Sequence, residues 1–367
     1  MSPGRPAGEP ASGAEAAAIA VLPSGEGLSD RLLDAFGEAA SHTDGAVDRT
    51  FTIAGYPIAV RFASSQLAGA LTPALAHLPP TTEPSALTVH VWDSATTRSP
   101  LPPLRFSPEA IPWHPDRTRK ESRSIWVAGS LDLSVSALDA ARSLGFFWSV
   151  DAGRLPHWER GSPLLHVLHW WLATRGLQLV HGGAVGTPGA GVFLAGKGGS
   201  GKSSTALACV RSGMRYAADD YALLQVHPSP FVHSLYNSAK VALPDMVRFP
   251  EVFPPNTPLT GEPNEKAVAF LGEIWPERVS LGFPIAAVLV PRVGTGKRSR
   301  LMPVSGRVGL VALAPSTIFQ LAGAGEPTLA RLGRLVEQVP CYVLELGSDP
   351  GHVADLIGSI LTGPAGS

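Results

Sequence analysis

The sequence predicts an α/β protein, with a phosphate-binding-loop domain built on a mixed sheet over 155–366, an α+β domain over 27–152 and a disordered leader over 1–26. Three observations carry this. Gly196 to Ser203 reads Gly-Lys-Gly-Gly-Ser-Gly-Lys-Ser, a full match to G-x-x-x-x-G-K-[ST] between an apolar run and a helix-like segment. Two strand-like runs before it, Leu177 to Val185 and Val192 to Ala195, are joined by a short loop. A parallel crossover needs about a dozen residues or more, so these runs should pair antiparallel. Third, the apolar run Met214 to Ala218 ends in Asp219-Asp220.

The leader consists mostly of Ala, Gly, Pro, Ser and Glu, with little to bury. Leu28, Leu32, Leu33 and Phe36 recur at helical spacing after it. Thr50 to Ile53 and Ile58 to Phe62 flank Ala54-Gly55-Tyr56-Pro57 as a hairpin would. A second helix is predicted over Ser65 to Leu78, stopped by Pro79-Pro80, followed by strands at Ala86 to Trp92, Ser124 to Val127, Leu131 to Val135 and Gly145 to Val150. No catalytic pattern occurs in this region. Its boundary falls near Asp151 to Gly161. Ser162-Pro163 then reads as an N-cap with proline at the first helical position, and Leu164, Leu165, Leu168, Trp171 and Leu172 supply an apolar face up to Gly176. His166 and His169 on this helix have no carboxylate nearby in sequence, so surface or half-buried positions are expected rather than a metal site.

The loop carries the chemistry. Its glycines allow successive backbone N–H groups to turn inward on phosphate oxygens, and the following helix aims its positive end at the same point. Lys202 would reach the β and γ phosphates, and the Ser203 hydroxyl would serve a magnesium ion. Gly196, Lys197, Gly198, Gly199, Ser200, Gly201, Lys202, Ser203 and Ser204 are therefore the nucleotide-binding candidates. A hairpin centred between Pro188 and Gly189 places His181 opposite Gly196, at the mouth of the loop. Ser203 to Arg211 reads as a helix closed by Gly213, and the strand after it should run parallel to the one before it, so that both end on one edge of the sheet. Asp219 and Asp220 then arrive beside the phosphates, as in-line phosphoryl transfer requires. One carboxylate would serve the metal, and another group would orient or deprotonate the attacking hydroxyl. The plainer alternatives are a strand-to-turn junction for the aspartates and a core histidine for His181.

Composition narrows the function. The chain has 44% hydrophobic and 16% charged residues, as a globular protein does, and 29 basic against 30 acidic residues leave no electrostatic footprint for nucleic acid or an anionic membrane. Two cysteines, Cys209 and Cys341, are too few for a disulfide framework or a metal cluster. No spanning segment or signal peptide is recognisable, so a soluble cytoplasmic protein with reduced thiols is expected.

His181-Gly182, the Gly196–Ser203 loop and Ala218-Asp219-Asp220 together resemble the kinase domain of HPr kinase/phosphorylase, the bacterial enzyme that phosphorylates a serine on a phosphocarrier protein, and the wider set of HPr kinase-like proteins. The resemblance covers Leu179 to Leu224. It implies the mixed-sheet fold shared with phosphoenolpyruvate carboxykinase, with ATP and Mg2+ as cofactors. It further implies that Lys202 holds phosphate, that Ser203 and Asp219 serve the metal, and that Asp220, assisted by His181, is the base. The arginine-rich segment that accompanies phosphorolysis and carrier-protein binding in that enzyme is not found, so phosphate removal is not carried over. HPr kinase-like proteins also tailor peptides, including lasso peptides phosphorylated on serine, which makes a precursor peptide a candidate acceptor. A homo-oligomer is compatible with all of this.

In the remaining chain, Val226 to Tyr236 reads as a strand pair, and Asn237-Ser238-Ala239-Lys240 leads into a short helical stretch to Val247. Lys240 and Arg248 are candidates for phosphate or substrate contact, with solvated surface charge as the plainer alternative. Pro250 to Pro263 reads as a mobile loop with Lys266 after it. Ile285 to Val290 and Cys341 to Leu346 read as strands, and Pro315 to Leu321, Leu329 to Val339 and His352 to Leu361 as helices. The expected activity is transfer of the ATP γ-phosphate to a hydroxyl, most naturally serine of a peptide or protein. The alternatives are a nucleotide-binding regulatory NTPase without phosphotransfer and a small-molecule kinase.

Overall fold

Alternating apolar residues build two mixed β-sheets, joined by a short helical linker. The structure, a computed structural model, describes residues 18–22, 27–103, 125–130, 133–259, 261 and 265–362. The first sheet comprises β1 (Ala18–Leu22), β2 (Val47–Ile53), β3 (Tyr56–Phe62), β4 (Leu87–Asp93), β5 (Ile125–Ser130), β6 (Ser134–Asp139) and β7 (Leu144–Ser149), in the order β1-β5-β6-β7-β4-β3-β2. β4 is parallel to both β3 and β7, and the other pairs are antiparallel. Helices α1 (Leu28–Ser41), α2 (Ser65–Leu71) and the one-turn α3 (Ser94–Thr97) accompany it.

Four expectations change here. Ala18–Leu22, placed in the leader from its surroundings, is an apolar run that pairs antiparallel with β5, while the rest of 1–26 lies outside the described residues. The helix expected to reach Leu78 stops at Leu71, because Pro73 opens a separate 3-10 turn over Pro73–Leu75. Ser162 is not an N-cap but the C-cap of the helix before it, α4 (His157–Gly161), and the next helix, α5 (Leu165–Ala173), starts after Leu164 in a left-handed conformation at φ 59°. His169 on α5 is buried rather than at or near the surface, and burial lowers its imidazole to about 3.

The second sheet holds β8 (Gln178–Gly186), β9 (Gly191–Ala195), β10 (Arg215–Ala218), β11 (Tyr221–Gln225), β12 (Phe231–His233), β15 (Gly282–Val293), β16 (Arg300–Val304) and β17 (Cys341–Leu346). A separate two-stranded ribbon pairs β13 (Ser238–Ala242) with β14 (Lys266–Phe270). β8 lies between β9 and β10 and is antiparallel to both, so those two run parallel with one strand between them. Gly182 faces Ala195, the register that places His181 opposite Gly196. β15 is parallel to β9 and to β17, which makes the sheet mixed.

Strand alternation sends Val192 and Leu194 to one face and Phe193 and Ala195 to the other. α6 (Lys202–Arg211) and α10 (Pro350–Thr362) cover the first face, and α8 (Gly306–Gln320) with α9 (Glu326–Gln338) the second. A short α7 (Leu271–Ile274) follows β14. A single apolar core runs from Val60, Val89 and Phe147 of the first sheet through Leu168 and Trp171 of α5 to Leu179, Leu223 and Tyr236. At about 25 cal/mol per Å2 of buried apolar surface, such continuity fixes the first sheet firmly against the second. Among the described residues no helix is long and apolar enough to cross a membrane.

Candidate active site

The loop begins where β9 ends. Its backbone is left-handed at Gly196, Gly199 and Gly201, and a Cβ at Gly201 would come within 2.4 Å of Leu346 Cδ1. Glycine is thus needed for φ and for space together. α6 starts at Lys202 immediately after. The Lys202 ammonium is nearly buried and donates to the carbonyls of Gly196 at 2.6 Å and Lys197 at 3.1 Å. Burial pushes its pKa down, while Asp219 and Asp220 push it up. Ser200 Oγ is buried in the loop with no partner.

β10 delivers the two aspartates to the same edge. Asp219 is buried; its Oδ1 accepts from Ser203 Oγ at 2.9 Å and its Oδ2 from the Lys240 backbone N–H at 3.3 Å. Burial and the neighbouring Asp220 charge raise its carboxyl above the usual range. Asp220 stands between β10 and β11 with φ 73°, a strained conformation for a residue with a side chain. Its carboxylate is held from two sides, by His181 Nε2 at 3.2 Å and by Lys240 Nζ at 2.8 Å. Burial alone would raise this carboxyl, but Lys240, His181 and Lys266 outweigh burial and hold it well below the usual range. His181 Nδ1 is buried without a partner, and its backbone N–H donates to Thr317 Oγ1 on α8.

Lys202, Ser203, Ser204, His181, Asp219 and Asp220 all line one cavity of about 450 Å3. A larger depression of about 530 Å3 lies at the far end of β8 and β10, around Thr187 and Arg215, and holds none of these groups. Among the described residues no three His, Cys, Asp or Glu side chains cluster as a metal site. Magnesium does not need such a cluster, since it is bound through one or two protein oxygens together with phosphates, and the Ser203–Asp219 pair supplies oxygens of that kind.

Neither family models nor curated proteins match the chain. Among solved structures it is similar to the Hpr(Ser) kinase/phosphatase from Coxiella burnetii, at 12% identity, over 50% of this chain and 93% of that one, with a TM-score of 0.27. So low a score gives no weight to the likeness, and the chemistry is read from the site itself.

Three features were legible in sequence only in part or not at all. Lys240, a candidate for phosphate or substrate contact with solvated surface as the plainer alternative, is 2% exposed, lines the cavity and bonds Ser162 Oγ as well as Asp220. The lead into the short helical stretch is the strand β13, and the stretch itself is a 3-10 helix over Leu243–Arg248. The segments 293–296 and 346–348 also line the cavity. Arg248 lines the same cavity from the exposed rim and pairs with Asp245 at 3.7 Å, and Lys266 lines it from the start of β14.

Proposed function

We propose that the protein is an ATP- and magnesium-dependent kinase that transfers the γ-phosphoryl group to a hydroxyl, with serine of a peptide or protein as the acceptor class. The observation that carries this reading is the meeting of a phosphate loop and a doubly held carboxylate, Asp220, in one cavity. A loop that only bound nucleotide would have no need of a second, half-buried acid fixed beside its metal-side acid.

On this reading Lys202 exchanges the Gly196 and Lys197 carbonyls for phosphate oxygens, and the loop N–H groups and Ser200 Oγ take up the remainder. Ser203 and Asp219 would hold the magnesium, which would supply positive charge against the negative charge that develops on the phosphates. Asp220 stays ionised because Lys240 and His181 stabilise its charge, so it orients the acceptor hydroxyl as an anion. As the acceptor oxygen bonds to the γ phosphorus and the bridging bond to the β phosphate breaks, the hydroxyl proton passes to Asp220. A depressed pKa suits a loose transition state, in which the proton leaves late and the carboxylate acts chiefly by positioning.

The test is incubation with γ-labelled ATP, magnesium and serine-containing peptides. Label should appear on peptide, and Asp220→Asn should reduce the rate by roughly 10²- to 10⁴-fold with nucleotide affinity retained. A fully active Asp220→Asn enzyme would remove that residue from its role.

A further inference from the structure

Lys240 is a buried lysine on a strand that the N-terminal half helps to hold. Its backbone N–H donates to Asp219 Oδ2, and its ammonium donates to Asp220 Oδ2 at 2.8 Å and to Ser162 Oγ at 2.8 Å. One residue therefore touches both acids. The ammonium is delivered through a narrow passage beside Gly161, where a Cβ would lie 2.4 Å from Lys240 Cε. Gly161 and Ser162 close α4, the linker between the two sheets, and this segment is tied at both ends. Ser134 Oγ of β6 donates to Glu159 Oε1 at 2.9 Å, and Ser238 Oγ of β13 donates to the Gly161 carbonyl. Asn237, just before β13, donates its side-chain amide to the Pro73 carbonyl at 2.9 Å and its backbone N–H to the Ala74 carbonyl at 3.0 Å. The strand bearing Lys240 and the serine that orients its ammonium are thus both anchored in the N-terminal half.

From this geometry we infer that Lys240 is a positioning residue for the acidic pair, and that the N-terminal half serves the reaction by holding Lys240, through Gly161, Ser162 and Asn237, against Asp220. This rests on the kinase reading above. A carboxylate at a left-handed backbone position has two rotatable bonds to settle, and ligating each oxygen from a different element settles both. Misplacement by about an ångström costs on the order of 10²-fold in rate.

The experiment compares full-length wild type, Lys240→Ala and Gly161→Ala in the peptide phosphorylation assay, with KM for ATP and kcat determined separately. Lys240→Ala should lower kcat by roughly 10²-fold with KM for ATP within about two-fold. Methylammonium, which fits the vacated volume and donates N–H, should restore part of the rate, and tetramethylammonium, with charge but no donor, should not. Gly161→Ala, which evicts the lysine without removing it, should lower kcat in the same direction. If Lys240→Ala does not fold, Gly161→Ala alone carries the decision. Unchanged kcat in the folded variants, or a fall in kcat matched by equal rescue from both cations, would overturn the inference while leaving the kinase reading intact. No phosphopeptide from wild type would overturn both.

Discussion

The two sheets handle buried polar groups in opposite ways. In the N-terminal sheet, His90 lies 5% exposed among Phe36 and Phe146, its Nδ1 unpartnered, and burial with the nearby Arg61 charge lowers its imidazole to about 4. Asp93 beside it spends its Oδ2 on the backbone N–H groups of Thr96 and Ala152, closing a helix start and a strand end. The Asp93 Oδ1 is buried without a partner, and neither residue lines the cavity of the second sheet, so both serve the fold. At the loop edge of the second sheet, two lysines and two aspartates meet, Lys202, Lys240 and Asp219 buried and Asp220 half-buried, and all four line a shared cavity. Enclosing a charge costs several kcal/mol unless it is paired. Four in one place mark a site at which charge has to be managed.

This contrast can be broken or sharpened by substitution. The largest effect is expected at the loop: Lys202→Ala should cut the transfer rate by roughly 10²- to 10³-fold, measured at saturating ATP, with the urea midpoint little changed. Next is Phe147→Ala in the N-terminal core, which should cost about 3–5 kcal/mol of stability in urea unfolding, while activity per folded molecule below the transition stays at the wild-type level. An equal loss of activity there would erase the division of labour.

The pH dependence of stability separates the halves further. His90 and His169 have folded pKa values lowered to about 4 and about 3 from an ordinary 6.5. Their neutral forms are the ones the fold accepts, so their contribution is complete above pH 6.5 and is lost as pH falls through the folded values. Urea midpoints should therefore drop between pH 6.5 and about 4, by roughly 3 kcal/mol for His90, and His90→Phe should flatten that slope. The smallest effect is expected for Ser203→Ala, about 1–2 kcal/mol from the lost bond to a carboxylate, together with a higher magnesium requirement in the transfer assay.

Much of the loop edge was legible because its constraints are local. A short connection between two apolar runs permits only a hairpin, and the observed Gly182–Ala195 pairing is the register that connection dictates. Asp219 and Asp220 follow from the direction of β10 relative to β9. What sequence concealed depends on distant partners. β13 looked like the approach to a helix because its ladder mate, β14, lies beyond a proline-rich loop, part of which falls outside the described residues. α8 was expected to begin at Pro315, yet it starts at Gly306 and carries that proline inside. Its glycine-bearing first half is held by packing: Gly309 lies where a Cβ would meet Cys341 Sγ at 2.8 Å. Lys240 was a candidate for phosphate or substrate contact, but its pairing with Asp220 was concealed, since a lysine between Ala239 and Val241 is what an edge strand with one wet face would also contain.

The central claim is that phosphorus leaves ATP for a hydroxyl held at Asp220 rather than for water. Phosphorus NMR of the wild-type protein turning over ATP with magnesium and a serine peptide reads this directly. A growing phosphomonoester signal on the peptide, matched one for one by ADP, is the predicted result. ADP accompanied only by inorganic phosphate, at a rate indifferent to the peptide and to Asp220→Asn, would contradict it.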